Sequence, residues 1–310
     1  MVKATILVDA GKTGTEKQCL ALAEVLGFET ITVKVNSKIP WEWLPSRLWP
    51  QSFPVIDAQA TTISNIVIAG GRASAVPAAT LRQKGAFVIF ILNPRISLKY
   101  FDVVIAPRHD QLKGENLIET LGALNNITPN VLQKAAVDFS FLKTLDTKYA
   151  AVLIGGDTKH YKISQGSLEY MLISLRRLLV TGINLWITFS RRTTPEQKAC
   201  IRQGLKDFNV WYWDEEGANP YLGMLALADL IVVTADSVSM ITEALSTGKP
   251  VYVTRPDRAS KKIRNFYEFL EKSNYIKPFN GVLEKWSYLP LQETGACAKI
   301  IQEKFKASLR

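Results

Sequence analysis

The chain has 310 residues, of which 47% are apolar and 21% charged, and a formal charge of +10. That length and balance fit two medium globular domains, each with its own core, and exclude a disordered chain. The longest apolar runs, Phe87 to Leu92 among them, fall well short of the ~18 residues a membrane-spanning helix needs.

Met1-Val2-Lys3 leads straight into a strand-like run, without the pattern of a signal peptide. The reading therefore expects a cytoplasmic protein, peripheral at the inner face of the membrane. Cys19, Cys200 and Cys297 lie far apart, which points to neither a disulfide framework nor a zinc site. Residues 147–310 hold 23 Lys+Arg against 16 Asp+Glu, so +7 of the charge lies there, an excess suited to anionic ligands or an acidic membrane surface, or equally to a solvated basic face.

Short apolar runs alternate with helical periodicity from end to end, the pattern of an α/β protein with mostly parallel sheets. The pattern predicts strands at Ala4–Val8, Thr30–Val35, Asn65–Ile68, Ala86–Leu92 and Asp102–Ile105, with helices at Thr15–Leu26 and Ser74–Lys84. Between the second and third of these strands, Pro40 to Pro50 is rich in Trp and Pro. Trp41, Trp43 and Trp49, beside Arg47, either meet a membrane interface or pack down over the amino-terminal domain.

A helical stretch over Pro129–Leu145 leads into a second series. Its predicted strands are Ala150–Ile154, Asn184–Phe189, Val210–Tyr212, Leu230–Val233 and Val251–Val253. Its helices are Gln165–Val180, Pro195–Phe208, Tyr221–Ala228, Val238–Thr247 and Lys261–Ser273, and a last helix is predicted at Thr294–Leu309. Two successive series predict two Rossmann-like domains facing each other across a cleft, over 1–146 and 147–290, with 291–310 able to pack back on the first.

In open α/β sheets, ligands collect at the carboxyl ends of the strands, where helix N-termini bind anions. Four loops of the second series follow predicted strands and are expected to cluster: Gly155-Gly156-Asp157-Thr158, Ser190-Arg191-Arg192-Thr193, Asp214 to Asn219, and Asp236-Ser237-Val238-Ser239. Glu243 lies one helical turn beyond Ser239, where a carboxylate can accept from both ribose hydroxyls of a nucleotide whose phosphate sits at the helix start. Arg191 and Arg192 are candidate bidentate phosphate donors, and each also suits a surface salt bridge.

In the first series, Gly11-Lys12-Thr13-Gly14 follows the first strand. Ile6 stands where a P-loop needs its first Gly, and no G-x-G-x-x-G occurs, which disfavours a nucleotide triphosphatase and a dinucleotide-dependent oxidoreductase. His109 and Asp110 follow the strand Asp102–Ile105 and are the candidate general base, with Asp9 and Glu16 in reserve; the other reading is a capping or surface His-Asp pair. His160 is better placed for donor contacts. The chain has no Asp-x-Asp pair and no His/Cys/Glu set with metal-ligand spacing, so neither a metal nor another cofactor is expected. Helix dipoles and basic side chains would then meet a departing diphosphate.

Met224 to Val253 joins a Met-containing helix, an Ala-Asp-Leu-Ile-Val strand, a Ser-containing turn, a Glu-bearing helix and a Gly-Lys-Pro-Val strand. It is similar to the donor-nucleotide site of GT-B glycosyltransferases. Ala106-Pro107-Arg108-His109-Asp110, Ile154-Gly155-Gly156-Asp157, Phe189-Ser190-Arg191-Arg192-Thr193 and Asn219-Pro220-Tyr221 together resemble the mitochondrial fission (elongated mitochondria) family, over nearly the whole chain. The resemblance implies a GT-B arrangement, with Glu243 as the ribose-binding acid, Ser237 and Ser239 in the diphosphate turn, and Gly11 to Gly14 on the sugar or acceptor side. The expected activity is metal-independent transfer from a nucleotide-diphosphate sugar to an acceptor, lipid-linked in one version, with no nucleic-acid partner. A nucleotide-sugar 2-epimerase is one alternative. The other is a non-catalytic membrane-associated scaffold, since the resemblance to plant members implies recruitment of a dynamin-like protein.

Overall fold

The computed structural model of the chain describes residues 2–36, 63–158, 161–255 and 259–308; the Trp-rich segment and His160 lie outside the described residues. Two compact units divide the chain, Met1–Asn126 with Gln292–Arg310, and Ile127–Leu291.

The first unit runs β1 (Lys3–Asp9), α1 (Thr13–Leu26), β2 (Glu29–Val35), β3 (Ile66–Gly70), α2 (Ala75–Gln83), β4 (Phe87–Ile91), β5 (Val103–Pro107) and β6 (Leu117–Thr120). All six strands pair in parallel, in the order β2-β1-β3-β4-β5-β6. β3, β4 and β5 are buried at every residue, because a parallel sheet is covered on both faces and its strands need not alternate polar with apolar. One face packs Ile6, Leu22 and Ile89 against Cys297 and Ile301 of the C-terminal helix (Glu293–Ser308); the other gathers Leu7, Val76, Phe90 and Phe101. The C-terminal helix is also held at its first turn, where the Glu293 carboxylate accepts from the Leu121 and Gly122 amides at 2.5 and 2.9 Å. Burial pushes the Glu293 pKa up in spite of those two bonds.

The second unit runs α3 (Pro129–Asp138), β7 (Tyr149–Ile154), α4 (Gln165–Val180), β8 (Asn184–Phe189), α5 (Pro195–Gly204), β9 (Trp211–Tyr212), α6 (Tyr221–Leu227), β10 (Leu230–Val233), α7 (Val238–Leu245), β11 (Val251–Val253), α8 (Lys261–Lys272) and β12 (Lys277–Pro278); the C-terminal helix is α9. Its strands are also all parallel, in the order β12-β11-β10-β7-β8-β9. Helix starts follow the local sequence. Thr194 and Gln197 form a reciprocal capping box ahead of Pro195, and Thr128 and Ser164 each accept an amide from the first turn of the helix they precede.

Three features differ from the sequence reading. Residues 127–146, read as part of the first domain, pack in the second unit, where α3 lies along α6. α3 ends at Asp138 instead of continuing to Leu145, because Phe139 turns onto Gly223 of α6, so closely that a Cβ there would overlap its ring. β6 and β12 are additional edge strands, four and two residues long.

In each sheet the strand order reverses at one place, between β1 and β3 in the first and between β7 and β10 in the second. Such a switch point opens a crevice at the carboxyl ends of the two strands.

Candidate functional site

At the β7–β10 switch point, Asp236 follows β10 and carries a carboxylate with no exposed surface. Its Oδ1 accepts from the Thr234 hydroxyl at 2.6 Å, and its Oδ2 accepts from the Gly156 amide at 3.2 Å and from Arg192 Nη2 at 2.6 Å. These donors offset the desolvation that an isolated buried charge could not survive. Thr234 also accepts the Gly155 amide at 2.7 Å, and the Thr193 hydroxyl donates to the Gly155 carbonyl at 2.5 Å. The loops after β7, β8 and β10 are thereby tied into one network. Glycine is required at 155 and 156 because an added Cβ would overlap the Asp236 carboxylate at the first and the Arg192 backbone at the second.

The network assigns several sequence-predicted residues to internal duties. The Gly155 and Gly156 amides, expected to face a ligand, donate to Thr234 and Asp236. The Ser190 hydroxyl accepts the Arg192 amide at 3.1 Å and so shapes its own turn. Asp157 accepts from the Ile163 amide, Lys162 and Gln197. Burial raises the Asp157 pKa, but those three donors outweigh it and hold the carboxylate below its usual range. Ser237 is the N-cap of α7, its hydroxyl accepting the Met240 amide at 3.3 Å. The Val238 and Ser239 amides then begin the helix without intrahelical acceptors. The Arg192 side chain stays 44% exposed despite its ion pair, and Arg191 is exposed. The amides of this helix start, with the Arg192 guanidinium beside them on Asp236, are donors suited to an anion.

Glu243, one turn further along α7, is half-buried and accepts a 2.5 Å hydrogen bond from the Tyr221 hydroxyl at the start of α6. Burial, and then the Glu243 charge, raise the Tyr221 pKa well above its ordinary value, so the phenol stays a donor. The other end of α6 is held by Lys249, whose ammonium group donates to the Leu225 carbonyl at 2.8 Å and to that of Ala226. Burial brings the Lys249 pKa down to about 8. The fourth expected loop, Asp214 to Asn219, makes no hydrogen bond to the Asp236 network among the described residues. It reaches α5 through the Lys198–Glu215 pair at 2.8 Å.

In the first unit, Asp9 occupies the β1–β3 switch point. Its carboxylate accepts from the Ser74 amide at 2.9 Å, the Ser74 hydroxyl at 2.7 Å and the Ala73 amide at 3.1 Å, so it caps the entry to α2 and its role as a reserve base is taken. Gly71 beneath it has φ +109° and no room for a Cβ. Glu16, the other reserve, pairs with Lys34 at 3.5 Å. Gly11, Lys12, Thr13 and Gly14 are all exposed at the start of α1. His109 and Asp110 lie in a helical turn after β5, with His109 Nε2 4.0 Å from the Asp110 carboxylate and each side chain only 9% exposed. β5 is three positions from β1 in the sheet, so the two predicted acceptor-side groups stand about 14 Å apart at the strand level, at ~4.8 Å per strand. Among the described residues, no three His, Cys, Asp or Glu side chains form a metal-binding group.

The family profile described as Mitochondrial fission ELM1 matches residues 13–305. The chain belongs to the mitochondrial fission ELM1 family. One relative, the Mitochondrial fission protein ELM1 of Arabidopsis thaliana, is 33% identical over 273 residues, covering 78% of this chain. The match takes in 64% of the plant protein, so this ELM1-family chain spans less than two thirds of that relative's length. Uncharacterized protein RP120 of Rickettsia prowazekii (strain Madrid E) is 30% identical over 346 aligned positions, covering 95% of this chain and 96% of that protein. Among solved structures, UDP-GlcNAc 2-epimerase from Neisseria meningitidis, bound to UDP-GlcNAc, superposes with a TM-score of 0.53 at 13% identity, over 99% of this chain and 100% of the other. At that identity the likeness shows the fold, which is the GT-B fold of two Rossmann-like units.

What the sequence reading missed is the bracing. Asp236 and Thr193, read as members of ligand loops, together with Thr234, Tyr221 and Lys249, hold the loops and helices that carry Arg192, Ser237 and Glu243. Their types gave a faint signal, since a polar residue just after an apolar strand is either a ligand contact or a brace.

Proposed function

We propose that the second unit binds the diphosphate of a nucleotide sugar at the β7–β10 switch point, and that the protein transfers the sugar to an acceptor without a metal. One observation carries this reading: where the strand order reverses, the Arg192 guanidinium is bonded to Asp236 just ahead of the start of α7, and Glu243 lies further along that helix. The phosphates take the Val238 and Ser239 amides with Arg191 and Arg192, while Glu243 accepts from the ribose hydroxyls. Leaving-group charge is met by these groups, in the manner of an anion hole. His109, with Asp110 beside it, takes the acceptor's proton, and Gly11 to Gly14 contact the sugar or acceptor. A basic second half supports a location on the cytoplasmic side of an acidic membrane, with a lipid-linked acceptor. No helix among the described residues is long and apolar enough to cross one.

Calorimetry with uridine and guanosine diphosphates tests the donor site. Glu243→Ala is expected to weaken binding by about 1 to 3 kcal/mol through lost charge-assisted hydrogen bonds; unchanged affinity would remove Glu243 from the site. Turnover that survives EDTA is expected. Incubation with a UDP-sugar and no acceptor separates transfer from 2-epimerisation, because only an epimerase then alters the sugar.

Membership of a mitochondrial fission family favours a second reading, a scaffold that binds a partner and turns nothing over. Absence of diphosphate binding, together with retention on anionic vesicles, is the result that would select it.

A further inference from the structure

On the second unit, a cavity of about 600 Å³ opens between the end of α3 and the segment from β9 to α6. Its apolar walls are Phe139, Phe141, Trp211 and Trp213, with Phe139 and Phe141 tilted against each other at 6.0 Å between ring centroids. Phe141 is 63% exposed and Trp211 36%, an unusual display for large aromatic side chains around a concavity. The rim carries Asp138, Asp214 and Glu216, and no Lys or Arg lines the cavity. None of those three carboxylates pairs with a cation among the described residues, although the chain carries +10 overall; the neighbouring Glu215 is taken by Lys198. Glu215 also holds a left-handed φ of 74°, a conformation that a non-glycine residue adopts only when its surroundings impose it.

Aromatic faces beside unpaired carboxylates are the chemistry that recognises a guanidinium or ammonium group. The cavity wall already uses it once, since Arg202 lies 4.4 Å from the ring centroid of Tyr212, another lining residue. An acidic rim repels anionic membranes and nucleic acids. Val137, in the last turn of α3 next to the rim residue Asp138, and Leu145, on the α3–β7 connection, are also exposed apolar side chains, so this stretch of chain offers more apolar surface than a free small cation would cover. We infer that this cavity docks an arginine- or lysine-bearing segment of a partner protein, whose cation enters among the aromatic rings while flanking apolar side chains rest on Val137 and Leu145.

The test is fluorescence anisotropy of a labelled Leu-Arg-Arg-Leu peptide on the full chain at low and high salt. Saturable binding with a Kd on the order of 0.1 mM is expected, weakening with salt. A citrulline peptide of the same shape should bind about tenfold more weakly, as should Asp214→Asn/Glu216→Gln and, separately, Trp211→Ala. Thermal melting of each variant confirms that it is folded. No binding up to roughly 1 mM, equal binding of the citrulline peptide, or unchanged binding by the folded carboxylate variant would overturn the inference. So would free arginine amide binding as tightly as the peptide, which means a small cation, or carboxylate-dependent self-association in light scattering, which means a second copy. Displacement by uridine diphosphate would assign the cavity to the nucleotide site instead.

Discussion

Replacing Asp236 with Asn keeps the shape of the side chain and removes its charge, which isolates what that charge does at the switch point. The carboxylate accepts from Thr234, Gly156 and Arg192 and has no exposed surface of its own. Thr234 accepts the Gly155 amide and donates its proton to Asp236 at 2.6 Å, the Leu153 carbonyl being further off at 3.5 Å. An Asn amide must turn its NH2 group either toward Thr234, giving up the bond that hydroxyl donates, or toward the Gly156 amide and Arg192, giving up both of theirs. Hydrogen bonds to a charged group contribute about 1.5 to 3 kcal/mol each. The share owed to Arg192 is reduced, because that guanidinium is 44% exposed and screened by water. The expected net loss is about 2 to 3 kcal/mol, or roughly 5 to 10 °C in Tm for a unit of this size. Urea unfolding followed by circular dichroism measures it, with Arg192→Ala and the double variant completing a cycle whose coupling should be about 1 kcal/mol. A loss below about 0.5 kcal/mol, or no coupling between the two positions, would refute the view that Asp236 organises the three loops.

Tyr221→Phe removes the hydroxyl that donates to Glu243 and should cost about 1 to 2 kcal/mol in the same urea assay; no loss would mean that the bond contributes nothing in solution. Ser237→Ala deletes the α7 cap and should cost about 1 kcal/mol, with Ser237→Gly milder. Lys249 has a folded pKa lowered from 10.5 to about 8, so the unfolded chain binds more protons between those values. Its contribution to stability is therefore present above pH 10.5 and is lost as the pH falls toward 8, by at most about 3 kcal/mol. Lys249→Met should flatten that slope between pH 8 and 10 in thermal melts, and an unchanged slope would show that its pKa is not depressed.

The strands buried along their whole length were the most legible part of the fold, because β3, β4, β5, β7 and β10 are short apolar runs bounded by turn residues. β6 and β12 escaped notice, since four residues reading LIET and two ending in Pro278 carry no periodicity. The end of α3 was misplaced for a tertiary reason: Phe139 to Leu145 is compatible with a helix, and packing on Gly223 overrides it. At the site, local spacing put Asp236 in a turn after a strand but gave no sign that it braces three loops, because its partners Arg192 and Gly156 stand 44 and 80 residues away in the chain. Tyr221 and Glu243 are likewise 22 residues apart. A brace that spans the fold leaves no local pattern.

The division at Asn126 and Leu291 makes the first unit discontinuous, with the whole second unit inserted before α9. Cys297, Ala298 and Ile301 fill one face of its sheet, and Phe305 meets Phe87 edge-on at 5.1 Å. As the chain leaves the ribosome, the first unit waits with that face uncovered until residues 293–308 emerge, while the second can close beforehand. Birth order and completion order are thus inverted, and a nascent chain stalled near residue 291 should present a finished second unit beside an open hydrophobic surface that chaperones would hold.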